Sequence, residues 1–193
     1  MKLIEGRDGK WRLEGIHVER KKNLSELSFC NLSATRKEWH KFDPANEIGI
    51  FIDDPDIYNV LVNELGLPTY DKSVNILENG EVVDTIVRHV VSFRLYPNSN
   101  SQYKPPLVML RTSKKNQAIG LEQLAIVDST RLTNIDLKFR PYTNKNSGKR
   151  YGAIDEFWGT VDESYVDDEE YYANKYGYHP GEEEPVDEEV PFM

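Results

Sequence analysis

A dense cluster of basic and aromatic side chains lies between residues 137 and 161. Alternate side chains of a strand share a face, so Lys138, Arg140 and Tyr142 would project together. The polar, Asn- and Gly-containing segment 143–150 is typical of a hairpin loop, and a second strand-like run follows it. The loop and the second strand add these side chains to the cluster: Lys145, Lys149, Arg150, Tyr151 and Trp158.

This cluster has the chemistry that a single-stranded nucleic acid requires. Cations neutralise a flexible phosphate backbone, and exposed rings stack on unpaired bases at about 1 to 3 kcal/mol per base without reading a sequence. The cluster therefore predicts a binding surface for single-stranded DNA. The alternative carries about equal weight: Tyr142, Tyr151 and Trp158 pack in the core or across strands, and the lysines only solubilise a loop.

Segment 86–96 alternates apolar and polar residues and predicts a strand with one basic-aromatic face. Its apolar face would carry Val87, Val91, Phe93 and Leu95. The opposite face would carry Arg88, Ser92, Arg94 and Tyr96. We expect Arg88, Arg94 and Tyr96 to extend the binding surface, together with Arg111 of the strand-like run 107–111, if these strands are neighbours.

A further basic-aromatic run, 36–41, contains Trp39 and lies in a connection between strands. We include Trp39 among the expected DNA-binding residues because a mobile arm here could close over a bound strand. A plain surface loop explains this run equally well.

Charge divides the chain into two parts. Residues 162–193 hold twelve Asp and Glu residues and one basic residue, Lys175, which leaves about +2 of the total charge of -9 on residues 1–161. A segment so acidic and so poor in aliphatic side chains cannot offset its ordering entropy by burial. We therefore expect a binding body at 1–161 and a largely disordered tail at 162–193.

The end of the tail reverses its polarity. A terminal hydrophobe on a charged leash contributes nothing to folding, but it can act as a ligand for another protein. Phe192 would fill an apolar pocket while neighbouring carboxylates contact a basic rim. The predicted partner-binding residues are Asp187, Glu188, Glu189, Val190, Pro191 and Phe192. A tail that only solubilises the protein is the alternative.

The remaining patterns predict a mainly β body. Short alternating segments at 11–20, 24–32, 48–52, 86–96, 107–111, 137–142 and 151–161 read as strands. One short helix begins at the N-cap Asp54 and Pro55 and ends at Gly66. Segment 117–132 fits a helix or a strand end. Many short strands with one clear helix favour a small barrel or sandwich over a βαβ fold.

The final residues Asp187 to Phe192 resemble the acidic tip, roughly Asp-Asp-Asp-Ile-Pro-Phe, of bacterial and bacteriophage single-stranded DNA-binding proteins. The body more loosely resembles the bacteriophage type, through the strand 48–52 leading into the Asp54-Pro55 helix, Lys104-Pro105-Pro106, and the closing pair 135–142 and 151–161. This resemblance implies an oligonucleotide-binding (OB) fold, a five-stranded barrel with one helix, and a tip that binds replication, recombination or repair proteins. The chain departs from the family tip because Met193 follows Phe192.

Other functions receive little support from the sequence. Asp53, Asp54 and Asp56 suit a helix start better than a magnesium site, and the four histidines lack metal-binding spacing. We therefore expect no enzymatic activity, no cofactor and no metal. With no apolar run of membrane-spanning length and a single cysteine, Cys30, we expect a cytoplasmic protein, in the host cytoplasm if phage-encoded. The rival hypothesis is an acidic DNA mimic or adaptor that inhibits a DNA-processing enzyme. The sequence does not fix the oligomeric state.

Overall fold

The structure is a computed structural model that describes residues 1–35, 45–97 and 104–164. The contacts of the chain define a first, compact unit over Met1–Asp162 and divide it from Glu163–Met193. The first unit, the body, contains the described strands and helices. Trp39 and the predicted partner-binding residues 187–192 lie outside the described residues.

The described part of the chain forms a ten-stranded sheet, which confirms the predicted mainly β fold. Its hydrogen-bonded order is β1-β2-β9-β10-β6-β4-β3, with β5 paired to β6, and β7 paired to β10 and β8. Strands β1 to β10 are Lys2–Glu5, Trp11–His17, Leu27–Asn31, Glu47–Phe51, Thr69–Glu78, Glu81–Arg94, Leu107–Arg111, Asn116–Ala118, Leu132–Thr143 and Arg150–Val161.

The pairing order of the described strands is open, because β1 and β3 at its two ends are not paired with each other. Hydrogen bonds nevertheless link the two sides of this sheet. Strand β2 pairs with β9, and β3, the next strand along the chain, pairs with β4 at the other side. Between them, the Glu26 amide donates to the His17 carbonyl at 2.8 Å, and the Phe51 amide donates to the Glu26 carbonyl at 2.7 Å. Segment 17–26 thus links strands on the two sides of the sheet, although the pairing order of the described strands stays open.

Helix α1, Pro55–Tyr58, begins where the sequence predicts and continues as a π-helical segment, Asn59–Glu64. The Asp54 carboxylate accepts from the amides of Asp56 and Ile57, which is the predicted N-cap. Gly66 has a φ of +69°, a conformation that favours glycine and ends the helix. A second short helix, α2, Ala125–Ser129, lies in the segment that the sequence left ambiguous.

The main core lies between the inner face of the sheet and helix α1. Phe93, Phe139 and Phe157 are fully buried in it, and the rings of Phe93 and Phe139 meet edge to face at 4.9 Å between centroids. Gly152 leaves room for this packing, since a Cβ there would lie 2.6 Å from the Phe93 ring. A smaller cluster of Phe51, Val74 and Val90 packs on the other side of the sheet.

Strands β5 and β6 form a long hairpin whose turn is Asn79-Gly80, with φ values of +50° and +84°. The hairpin corrects part of the predicted faces of segment 86–96. Val91, Phe93 and Leu95 do face the core, but Val87 is 61% exposed and Arg88 is buried. The reason is that the first half of β6 pairs only with β5. This part of the hairpin extends past the main core, so its alternate side chains are not divided into a core face and a solvent face.

None of the described helices is long and apolar enough to cross a membrane. Within residues 1–35, 45–97 and 104–164, no group of three or more His, Cys, Asp and Glu side chains is placed to hold a metal ion.

Candidate nucleic-acid interface

A cleft of about 610 Å³ lies where the ends of β6, β9 and β10 meet, and we call it the tyrosine cleft. Strand β6 supplies Arg94 and leads directly to Tyr96, and strand β9 supplies Arg140 and Tyr142. The fold thus brings together four side chains that the sequence placed on two separate strands. They meet because both strands flank β10, where Ala153 pairs with Arg94 on one side and with Arg140 on the other.

Two tyrosine rings form the aromatic part of the cleft. The rings of Tyr96 and Tyr142 meet edge to face at 5.6 Å between centroids, and Tyr142 is 38% exposed. Burial raises the pKa of Tyr96, the Arg94 guanidinium partly opposes this shift, and Tyr142 and Tyr151 add smaller increases. Tyr96 therefore stays neutral at physiological pH and presents ring surface without negative charge.

The cations of the cleft outnumber its carboxylates. Its described lining residues include the cations Arg94, Lys104 and Arg140 and one acid, Asp155, whose Oδ1 lies 3.3 Å from Arg140. A second acid, Glu47, lies 3.9 Å from Arg94 Nε without lining the cleft. Arg94 is 31% exposed and Arg140 is 32% exposed, so both remain within reach of a ligand. The cleft therefore offers cations beside the half-buried Tyr96 ring and the exposed Tyr142 ring, which suits a phosphate chain carrying unpaired bases.

Three polar atoms of cleft residues are buried without a hydrogen-bond partner among the described residues: Arg94 Nε, Tyr96 Oη and Asp155 Oδ2. Buried polar groups are usually satisfied, so these atoms are exceptions, and the nearest acid to Arg94 Nε is Glu47, at 3.9 Å. The Arg94 guanidinium itself lies 3.9 Å from the centroid of the Tyr151 ring, which holds it at the cleft wall.

A second group of predicted residues lies farther along the same outer face of β9. Lys138, Arg140 and Tyr142 alternate on this face, as the period of a strand requires. Beside Lys138, the pairing with β10 and β7 adds Trp158 and Arg111. Lys138 and Trp158 thus continue the surface that begins at Tyr142.

Acidic neighbours moderate this second group. Lys138 Nζ lies 3.6 Å from Glu156, and Arg111 forms an ion pair with Asp136. The Trp158 indole N–H donates to Glu156 at 3.2 Å, and the Arg111 guanidinium lies 5.6 Å from the Trp158 ring. These cations can contact phosphate only by sharing or exchanging their carboxylate partners, so we expect the contribution of each to be reduced.

Two predicted residues serve packing instead of an exposed surface. Arg88 is 6% exposed: it forms an ion pair with Asp53, and its Nη1 donates to the carbonyls of Lys22 and Ser25, each at 2.7 Å. Its guanidinium also lies 4.0 Å from the centroid of the Phe51 ring. Tyr151 is 8% exposed beneath Arg94, so its ring cannot stack on a base in this arrangement.

The remaining predicted residues lie in or next to the β9–β10 loop. Lys145, Lys149 and Arg150 are exposed there, and Asn144 shapes the turn by accepting from the amides of Asn146 and Ser147. Their positions leave them free to follow a strand that leaves the cleft beside Tyr142. Sequence reasoning did not assign Lys104 to the site. Lys104 directly precedes Pro105 and Pro106 in a break between strands, where no strand period indicates a direction.

No protein-family model and no curated protein matches this chain. Among solved structures, the chain is similar to the single-stranded DNA-binding protein from bacteriophage Enc34, with a TM-score of 0.42 and 12% identity over 89% of this chain and 99% of that one. A C-terminal truncation of the same phage protein is similar at a TM-score of 0.38 and 10% identity over 84% of this chain and 96% of that one.

Proposed function

We propose that the body binds single-stranded DNA with little sequence preference, along a path that begins in the tyrosine cleft and follows the outer face of β9. The observation that carries this proposal is the Tyr96–Tyr142 ring pair bordered by Arg94, Lys104 and Arg140. Rings in this position stack on any base, and the cations contact a backbone that is the same at every nucleotide.

The cleft suits a single strand better than a duplex. A duplex keeps its bases stacked on one another, so an edge-to-face tyrosine pair within a cleft could contact only its backbone. A single strand can turn its unpaired bases onto the rings while its phosphates reach the guanidinium groups. Binding of this kind depends on released counterions and weakens as salt increases.

The acidic tail has a separate role in this proposal. Residues 162–193 would recruit replication, recombination or repair proteins through Phe192 and the acidic residues before it. The same negative charge would compete with DNA for the tyrosine cleft, since both carry the anionic groups that Arg94 and Arg140 attract. The body would thus protect a strand while the tail raises the local concentration of proteins that act on it.

The test compares two tyrosines of similar exposure. Tyr142, in the cleft, is 38% exposed, and Tyr70, which lies outside the cleft, is 45% exposed. Removing one stacking ring costs about 1 to 3 kcal/mol, which is a 5- to 150-fold loss of affinity. We therefore expect Tyr142→Leu to weaken binding to a short labelled oligo-dT, long enough for one copy only, within this range and Tyr70→Leu to leave it unchanged.

The measurement is fluorescence anisotropy with oligo-dT and with duplex DNA of the same length, at two salt concentrations. Preference of the wild-type protein for the single strand, together with the effect of Tyr142→Leu, would support the proposal. Equal affinity of both variants for oligo-dT, or tighter binding of the duplex, would contradict it.

A further inference from the structure

The end of the β5–β6 hairpin, residues 77–84, is chemically unlike the rest of the body, and we call it the hairpin tip. It carries three carboxylates, on Glu78, Glu81 and Asp84, and no cation. Its apolar side chains are exposed, with Leu77 at 51%, Val82 at 56% and Val83 at 52%. Three carboxylates repel phosphate, so this tip is unsuited to DNA and suited to a protein surface.

The apolar side chains lie on both faces of the hairpin tip. Leu77 and Val82 are paired across the two strands and therefore share one face, whereas Val83, the next residue, points to the other. If a ribbon that is apolar on both faces lay flat on a partner, one of its apolar faces would remain in solvent. Insertion between two walls would cover both faces at once.

The body also presents a groove of about 1280 Å³ with the complementary chemistry, and we call it the basic groove. Its cations are Arg20, Lys21, Lys22, Lys72 and Arg131. Apolar side chains including Leu24, Leu27 and Val127 also line it, and Leu24 is 57% exposed. Basic side chains around apolar walls match a tip that carries carboxylates around valines and a leucine.

The basic groove suits a protein better than a DNA strand. Four carboxylates, of Glu19, Glu47, Asp128 and Asp162, line it beside its five cations, so its net charge among the described lining residues is close to zero. The tyrosine cleft is lined by three cations and one carboxylate, with Glu47 also 3.9 Å from Arg94. The cleft in addition offers the Tyr96–Tyr142 ring pair to bases, whereas the exposed Leu24 of the groove would gain more from an apolar partner.

The hairpin tip cannot fill the basic groove of its own chain. Lys72 of β5 lines the groove, and Glu78 at the end of β5 lies six residues farther along an extended strand. At about 3.4 Å per residue in an antiparallel strand, this places the tip roughly 20 Å away from the groove wall. The tip of a second copy has no such restriction.

We propose that the hairpin tip of one copy inserts into the basic groove of the next, so that copies of this chain join head to tail. Because the two surfaces differ, each copy offers one tip and one groove, and the contact can repeat into an open row. Such a row would line up copies on a long single strand and make their binding cooperative. The contact itself needs no DNA.

Charge reversal on each side of the contact tests this arrangement in the full chain. The tip variant is Glu78→Lys/Glu81→Lys, and the groove variant is Arg20→Glu/Lys21→Glu, all at exposed positions. A matched control, Glu5→Lys/Glu122→Lys, makes the same charge change as the tip variant at two exposed acids elsewhere on the body. The measurement is sedimentation velocity at increasing protein concentration, without DNA.

We expect the wild type and the control to form species larger than dimers, and each variant alone to remain monomeric because like charges then meet. An equimolar mixture of the two variants should restore species larger than dimers, since each tip again meets an oppositely charged groove. Dimers as the largest species in the mixture would indicate contact between tips and overturn the proposal. A monomeric wild type at every concentration would also overturn it.

Two further measurements separate the other possible occupants of the groove. On oligo-dT the tip variant should lose cooperativity on long strands and keep its affinity for a short one. Weaker binding of the short strand by the groove variant, with unchanged sedimentation, would assign the groove to DNA. Loss of the large species in Phe192→Ala, with the tip variant still associating, would assign it to the acidic tail. Since sedimentation contains no DNA, failure here leaves the proposed DNA binding standing.

Discussion

Arg88 allows a direct decision between a role in the fold and a role in DNA binding. Its position on the strand that leads to Arg94 predicts a phosphate contact, whereas the structure buries it against Asp53, Phe51 and two backbone carbonyls. Two substitutions separate these roles. Arg88→Met removes the charge and keeps an unbranched aliphatic side chain. Arg88→Lys keeps a positive charge but lacks the planar guanidinium group.

The size of the effect follows from the groups that Arg88 leaves behind. The Ser25 carbonyl is buried, and a buried acceptor without a partner costs about 1 to 3 kcal/mol; the partly buried Lys22 carbonyl would add less. Asp53 is 59% exposed, so its ion pair is worth at most about 1 kcal/mol. Arg88→Met should therefore lower the free energy of unfolding by about 3 kcal/mol. This is a large share of the roughly 5 to 15 kcal/mol typical of a domain.

Arg88→Lys should lower the free energy of unfolding by about 2 kcal/mol. A single ammonium group cannot reach Asp53 and both carbonyls in the directions that the guanidinium fork provides. A phosphate contact, by contrast, accepts lysine as a point charge. The two roles thus make opposite predictions for the lysine variant: a fold role predicts lost stability, and a DNA role predicts retained stability and affinity.

The assay is urea unfolding followed by tryptophan fluorescence, with oligo-dT affinity measured on each variant under conditions where it is folded. We expect both variants to be destabilised and their DNA affinity to stay within about twofold of the wild type. The reasoning is refuted if Arg88→Met unfolds at the wild-type urea concentration while its affinity for oligo-dT drops about tenfold, a change of about 1.4 kcal/mol.

The remaining predictions concern the cleft and the tail. Lys104→Met should reduce the slope of log affinity against log salt by about 1, because one phosphate contact is lost. The slope is measured by titrating oligo-dT at several salt concentrations. An unchanged slope would show that Lys104 is not part of the site. Deleting residues 165–193 should leave oligo-dT affinity unchanged or increased, because a competing anion is removed, and should abolish capture of replication proteins in a pull-down. A large loss of DNA affinity after the deletion would contradict the proposed role of the tail.

Sequence patterns were most informative where side chains repeat with the period of a strand or cap a helix. The outward run Lys138, Arg140 and Tyr142 was predicted because a strand alternates its faces regardless of what packs on it. Asp54 was predicted as an N-cap because capping is a contact between near neighbours in the chain. The same local reasoning missed β5, since Val74 is its only buried residue and its sequence shows no apolar alternation. Asn79-Gly80 was the signal that could have located the hairpin.

The distinction between a binding cation and a structural one was outside the reach of local patterns. Arg88 and Arg94 lie six residues apart on the same strand and read alike in sequence. One is covered by residues 22–25 and Asp53, which are distant along the chain, and the other opens into a cleft shared with β9. Tyr142 and Tyr151 differ in the same way, because one ring ends a strand in solvent and the other lies under Arg94.

The sequence by itself determined the β-rich body, the helix start and the concentration of acid in residues 162–193, because these depend on composition and on contacts between near neighbours. Only the tertiary structure decided which cations and rings share a cleft and which lie against the hairpin, because that depends on long-range pairing. Strand β10 is where this decision is made, since it joins β6 to β9 and thereby brings Arg94 and Tyr96 to Arg140 and Tyr142.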